Sequence, residues 1–176
     1  MVNDIINDAR KVAYLVYLYP KKGLQQIAEL MSMPPIAKDC AIIEASRQGW
    51  VEISKKKGQL TLTTEEIPEP TFDDMMVMIR DRVRFIIKHH NSEEQDIDEV
   101  VLLQMLVGYP VQDILITLNL MLDEGTIANY TIAEGKKGEN VYTFWTMPEN
   151  VGKEWGRKRF PDQSTLKVGA SAKLEA

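Results

Sequence analysis

Residues 23–63 read "GLQQIAELMSMPPIAKDCAIIEASRQGWVEISKKKGQLTLT". Leu24, Ile27, Ala28 and Met31 are spaced for one face of a short helix. Pro34-Pro35 then open a second run, where the missing proline N–H costs nothing at the first helical position. Gly49 closes that run, because a helix end often needs a residue that tolerates the left-handed conformation. "WVEIS" and "QLTLT" alternate like half-buried strands, and "KKKG" between them reads as a hairpin turn. Upstream, Val12, Leu15, Val16 and Tyr19 mark the face of an earlier helix.

The plan occurs twice. "EEIPEPTFDD", residues 65–74, holds two prolines and several acids and reads as a linker. A shift of 76 residues sets Leu24 on Val100, Ile27 on Leu103, Leu30 on Leu106 and Pro34 on Pro110. It also sets Ile42 on Leu118, Ala45 on Met121, Gly49 on Gly125 and Val51 on Ile127. A tandem repeat explains this agreement of punctuation and apolar pattern. For the second copy the pattern predicts helices near 72–88, 97–107 and 111–124. A polar loop "HHNSEEQD" follows the first of these, and strands in "TIANYTIAE" and "NVYTFWT" end the copy.

Three helices followed by a two-stranded hairpin resembles the winged helix-turn-helix family. The resemblance rests on "LQQIAELMSMPP…IIEASRQGWVEISKKKGQLTLT" and on "VVLLQMLVGYP…LNLMLDEGTI", and it covers roughly residues 1–147. It implies an α+β, mainly α chain of two tandem winged-helix domains, each three helices plus a two-stranded β-hairpin wing. Their expected spans are 1–66 and 75–147, joined by a linker at 67–74 and followed by a basic tail at 148–176. In that family the third helix usually enters the major groove and the wing touches phosphate or the minor groove. Many winged helices bind proteins instead.

Charge narrows the DNA expectation to local patches. The 176-residue chain carries a net charge of −5. Residues 1–70 hold nine basic and nine acidic side chains, 71–147 hold six and thirteen, and 148–176 hold six and four. No field of the whole molecule draws it to a polyanion. The candidate DNA contacts in the first copy are Lys38, Arg47 and Gln48 on the third helix and Lys55, Lys56 and Lys57 at the wing tip. A charged tip also serves simply to keep a hairpin soluble and to block edge pairing. Ile36, Cys40 and Ile43 turn outward beside Arg47 if Ala41, Ile42 and Ala45 face the core, and they suit a protein-docking surface.

The second third-helix sequence, "VQDILITLNLMLDEG", has no basic residue, and Lys136 and Lys137 at the second wing are flanked by Glu134 and Glu139. That copy is expected to pack on a partner, on a second copy of the chain or on the first domain. Val2, Ile5 and Ile6 extend the apolar spacing of the first helix and suit such a contact, as do Met75, Met76, Met78 and Ile79. In the tail, Arg157, Lys158 and Arg159 lie among Trp155 and Phe160, a mixture that grips phosphate or stacks on bases, or else is a solvated tail.

The chain shows no glycine-rich phosphate loop, no paired-cysteine metal spacing and no nucleophile elbow. The expectation is therefore a non-enzyme with no cofactor, no metal and no small-molecule substrate. One cysteine, Cys40, excludes an internal disulfide and fits a reducing cytoplasm. The opening stretch is not patterned as a signal peptide, and no apolar run approaches membrane-spanning length. The function these features predict is a DNA-binding regulator of transcription, with double-stranded DNA as ligand and a homodimer or protein partner on the second domain. The competing expectation is a protein-interaction module, a tandem winged-helix subunit of a larger transcription or chromosome-associated assembly.

Overall fold

A computed structural model describes residues 2–31, 33–54, 58–134, 138–153 and 167–168, and for 2, 3, 167 and 168 the backbone only. The chain is α+β, mainly α, with two small antiparallel sheets. It divides into two compact units, Met1–Met78 and Ile79–Ala176. No helix among the described residues is long and apolar enough to cross a membrane.

Unit 1 runs α1 (Val2–Leu18), α2 (Leu24–Glu29), α3 (Pro35–Arg47), β1 (Val51–Ser54) and β2 (Gln59–Leu62). Its core gathers Ala9, Val12, Ala13, Leu15 and Val16 from α1 with Ile27 and Met31, with Ala41, Ile42 and Ala45 from α3, and with Val51 and Leu60 from the hairpin. Ala41, Ile42 and Ala45 face the core, as expected. β1 and β2 pair antiparallel from Val51 opposite Leu62 to Ser54 opposite Gln59. Gly23 makes a one-residue bridge to Gln59 in front of α2. A Cβ at Gly23 would stand 3.3 Å from the Gly58 carbonyl oxygen, so the missing side chain permits this close approach.

Lys11 on α1 reaches Asp74 at 2.6 Å and Asp8 at 3.0 Å. Burial pulls the Lys11 ammonium down, but its hydrogen bonds to Asp74 and Asp8 outweigh that and hold it above the usual lysine value. Burial likewise raises Asp74, and the bonds from Lys11 and Thr71 overcome it, leaving the carboxyl below its ordinary range.

Unit 2 takes in most of α4 (Phe72–Ser92), in which the division between the units falls. It continues through β3 (Ile97–Asp98), α5 (Glu99–Met105), α6 (Val111–Asp123), β4 (Ala128–Glu134) and β5 (Asn140–Thr146), a short 3-10 turn at Pro148–Asn150, and β6 (Lys167–Val168). The order helix, bridge or strand, helix, helix, strand, strand is common to both units. α3 and α6 have the same length, and both start one residue after a proline N-cap, Pro34 and Pro110. Gly49 and Gly125 follow their C-caps at φ +72° and +68°, a conformation that strains any residue with a Cβ.

Three expectations are corrected. The second sheet is not a two-stranded hairpin; it has the order β3-β5-β4-β6. Ile97 and Asp98, expected at the start of a helix, pair instead with Trp145 and Phe144, and α5 begins only at Glu99, capped by the Asp98 side chain on the Val100 N–H at 2.8 Å. Finally, "HHNS" continues α4 rather than leaving it as loop, because Asn91 is a buried junction.

The Asn91 side-chain oxygen accepts from the Thr146 hydroxyl at 3.2 Å, the Met147 N–H at 2.9 Å and the Asn150 amide at 2.9 Å. Its NH2 donates to the Gln95 carbonyl at 2.9 Å and the Asp96 carboxylate at 3.3 Å. The other Asp96 oxygen accepts from the Tyr130 hydroxyl. Burial first, then this bond to Asp96, pushes the Tyr130 phenol far above its ordinary value. A phenol raised in the folded state keeps its proton where the unfolded chain loses it. The stability tied to it is thus complete below about pH 10 and declines above that by about 1.4 kcal/mol per pH unit. Tyr130→Phe is expected to remove this share of the alkaline decline, read as the difference between wild-type and variant urea melts from about pH 9 to 11.

Candidate nucleic-acid and partner interfaces

α3 presents one stripe to solvent. Ile36 is 79% exposed and Ile43 63% exposed, and Cys40 and Arg47 lie on the same exposed side. The helix buries the opposite side under α1, so the outward stripe follows from the 3.6-residue period. Lys38, near the start of the helix, is half-buried.

Glu44 organises the polar end of the stripe. Its carboxylate takes the Arg47 guanidinium side-on, with Nε at 2.9 Å from one oxygen and Nη2 at 3.0 Å from the other. Gln48 Nε2 donates to the second oxygen at 2.7 Å. The bond from Gln48, then that from Arg47, holds the Glu44 carboxyl below its usual range. Two of the five guanidinium N–H groups are used in this way, and three remain for an outside acceptor. The arrangement fixes the orientation of Arg47 and Gln48 while offsetting one positive charge. Glu44 is not among the residues expected at this site, although Glu-x-x-Arg-Gln sets a carboxylate three and four residues before its partners.

α6 offers different chemistry. Val111 is 68% exposed, and Leu115, Ile116 and Leu120 are exposed beside Gln112, Asn119 and Asp123. Glu124, which occupies the place of Gln48 in the repeat, is engaged by Arg80 of α4 through both guanidinium Nη atoms. That bond, against a smaller effect of burial, lowers the Glu124 carboxyl. The face has apolar area and acids but no cation of its own.

The other predicted contacts divide as follows. Ile5 is exposed and Ile6 half-buried on α1. The Val2 side chain, Lys55, Lys56, Lys57, Lys136, Lys137, Arg157, Lys158 and Arg159 lie outside the described residues. Met75 and Ile79, expected at a docking surface, are buried, because both fall on the inward face of α4. Met76 and Met78 are half-buried, and Met78 packs on the unit 1 core.

Comparisons with known proteins find no matching family model, no matching curated protein and no matching solved structure.

Proposed function

We propose that this chain is a DNA-binding regulatory protein of two tandem winged helices, in which unit 1 contacts duplex DNA and unit 2 makes a dimer or partner contact. The repeated element order supports the winged-helix reading. The observation that carries the division of labour is the contrast between the third helices. α3 sets an oriented Arg47–Gln48 pair at the end of its exposed stripe, whereas α6 exposes Val111, Leu115, Ile116 and Leu120 with no base. Arginine and glutamine supply the donors that phosphate and base edges accept, and exposed aliphatic side chains do not. The lysines at 55–57 would add phosphate contacts. The cytoplasm is the proposed compartment.

The test is fluorescence anisotropy on a labelled duplex. Wild type is expected to bind at low salt, Arg47→Ala about tenfold more weakly, and Lys38→Ala with a salt slope smaller by about 0.9. Leu115→Glu is expected to leave duplex affinity unchanged. Absence of binding to any duplex at low salt overturns the proposal.

A second reading has its own observation. Ile36 and Ile43 make the middle of the α3 stripe apolar, as in a subunit that docks on protein. In that case unit 1 serves a larger assembly, and a partner captured through Ile36 and Ile43 survives nuclease treatment and is lost in Ile43→Glu.

A further inference from the structure

Residues 71–147 are acidic as a whole, yet four of their six basic side chains fall within nine residues of one helix: Arg80, Arg82, Arg84 and Lys88 of α4. Arg80 is spent on Glu124. Arg84 and Lys88, four residues apart, form an exposed row about 6 Å long, and neither has a carboxylate within ion-pair distance among the described residues. Beside it runs a row of flat groups. Phe85 is 60% exposed, the His89 ring lies nearly parallel to it at 6.3 Å and 10°, and the Arg82 guanidinium lies 5.4 Å from its centre. Asp81 is half-buried on this helix, and Glu93 stands 3.7 Å from His89, so the face is moderately rather than strongly cationic.

An exposed phenylalanine inside a set of cations is poorly explained by solubility or by core packing. Two parallel rows, one of ammonium and guanidinium groups and one of π-faces, match a strand that carries phosphates along one side and unpaired bases along the other. Paired bases are stacked inside a duplex and cannot reach Phe85. We infer that this face of α4 binds single-stranded nucleic acid, with Arg84 and Lys88 on successive phosphates and a base stacked on Phe85. The site is separate in sequence and in chemistry from the duplex contact proposed for α3, and it does not depend on that proposal.

The experiment titrates full-length protein into a fluorescein-labelled dT oligonucleotide of about 12 nucleotides, at several salt concentrations. Phe85→Ala is expected to weaken binding roughly tenfold and Phe85→Trp to restore it. Arg84→Ala combined with Lys88→Ala is expected to reduce the salt slope by about 1.4. The exposed positions predict melting temperatures equal to wild type, which separates lost contact from lost fold. Arg47→Ala is expected to leave the oligonucleotide affinity unchanged, so that failure here and failure of the duplex reading are distinguishable. The inference is overturned if wild type does not bind the oligonucleotide, or if Phe85→Ala binds it as wild type does. A poly-glutamate peptide that displaces it as well as unlabelled dT does also overturns the inference, in favour of an acidic protein partner.

Discussion

Asn91→Ala is expected to destabilise unit 2 by about 3 kcal/mol or more, lowering its melting temperature by more than about 10 °C. One carboxamide oxygen receives the Thr146 hydroxyl, the Met147 N–H and the Asn150 amide, and all of these residues are buried. Alanine leaves those donors without an acceptor in a place with little water, and a buried unmet donor costs about 1–3 kcal/mol. It also removes one of the donors to the buried Asp96 carboxylate. Asn119→Ala, on the exposed side of α6, is the matched control and is expected to stay within about 0.5 kcal/mol of wild type. Equal melting of Asn91→Ala and wild type would contradict the assignment of Asn91 as the junction between α4 and the end of β5.

Ile27→Ala and Leu102→Ala are each expected to cost about 2–5 kcal/mol, whereas Val100→Ala is expected to stay within about 0.5 kcal/mol. This pairing differs from the uniform 76-residue shift. Ile27 and Met31 are buried in unit 1, and their buried counterparts are Leu102 and Leu106, a shift of 75. Val100, matched to the half-buried Leu24 by the uniform shift, is 62% exposed. The cause is local: α5 is one residue longer than α2, and beyond it α3 and α6 return to the 76-residue register. Chemical denaturation of the three variants decides between the two alignments.

The third helices are legible to within a residue because proline and glycine act on their own backbone, and Pro34, Pro110, Gly49 and Gly125 mark each end. The outward stripe Ile36, Cys40, Ile43 and Arg47 followed from helical period alone. Asn91 was not legible as a junction, since a polar residue in "HHNS" looks solvated until Thr146, Met147 and Asn150 arrive from far along the chain. β3 was hidden because two residues, Ile97 and Asp98, are too short to show a period. The cations of α4 are not visible in the net charge of 71–147, because acids elsewhere in that stretch outweigh them. The grip of Glu44 on Arg47 and Gln48 is contained in the Glu-x-x-Arg-Gln spacing, since helix side chains three and four residues apart meet.

If unit 1 contacts duplex DNA as proposed, α3 and the β1–β2 hairpin meet the duplex and α6 of unit 2 stays clear of it. Backbone amide NMR of the full chain, titrated with a short duplex at low salt, tests this most directly. Shifted and broadened resonances are expected to concentrate between Ile36 and Gln48 and around residues 51–62, with Val111–Asp123 unmoved. Perturbation centred on Val111–Asp123, or none anywhere at saturating duplex, would contradict it.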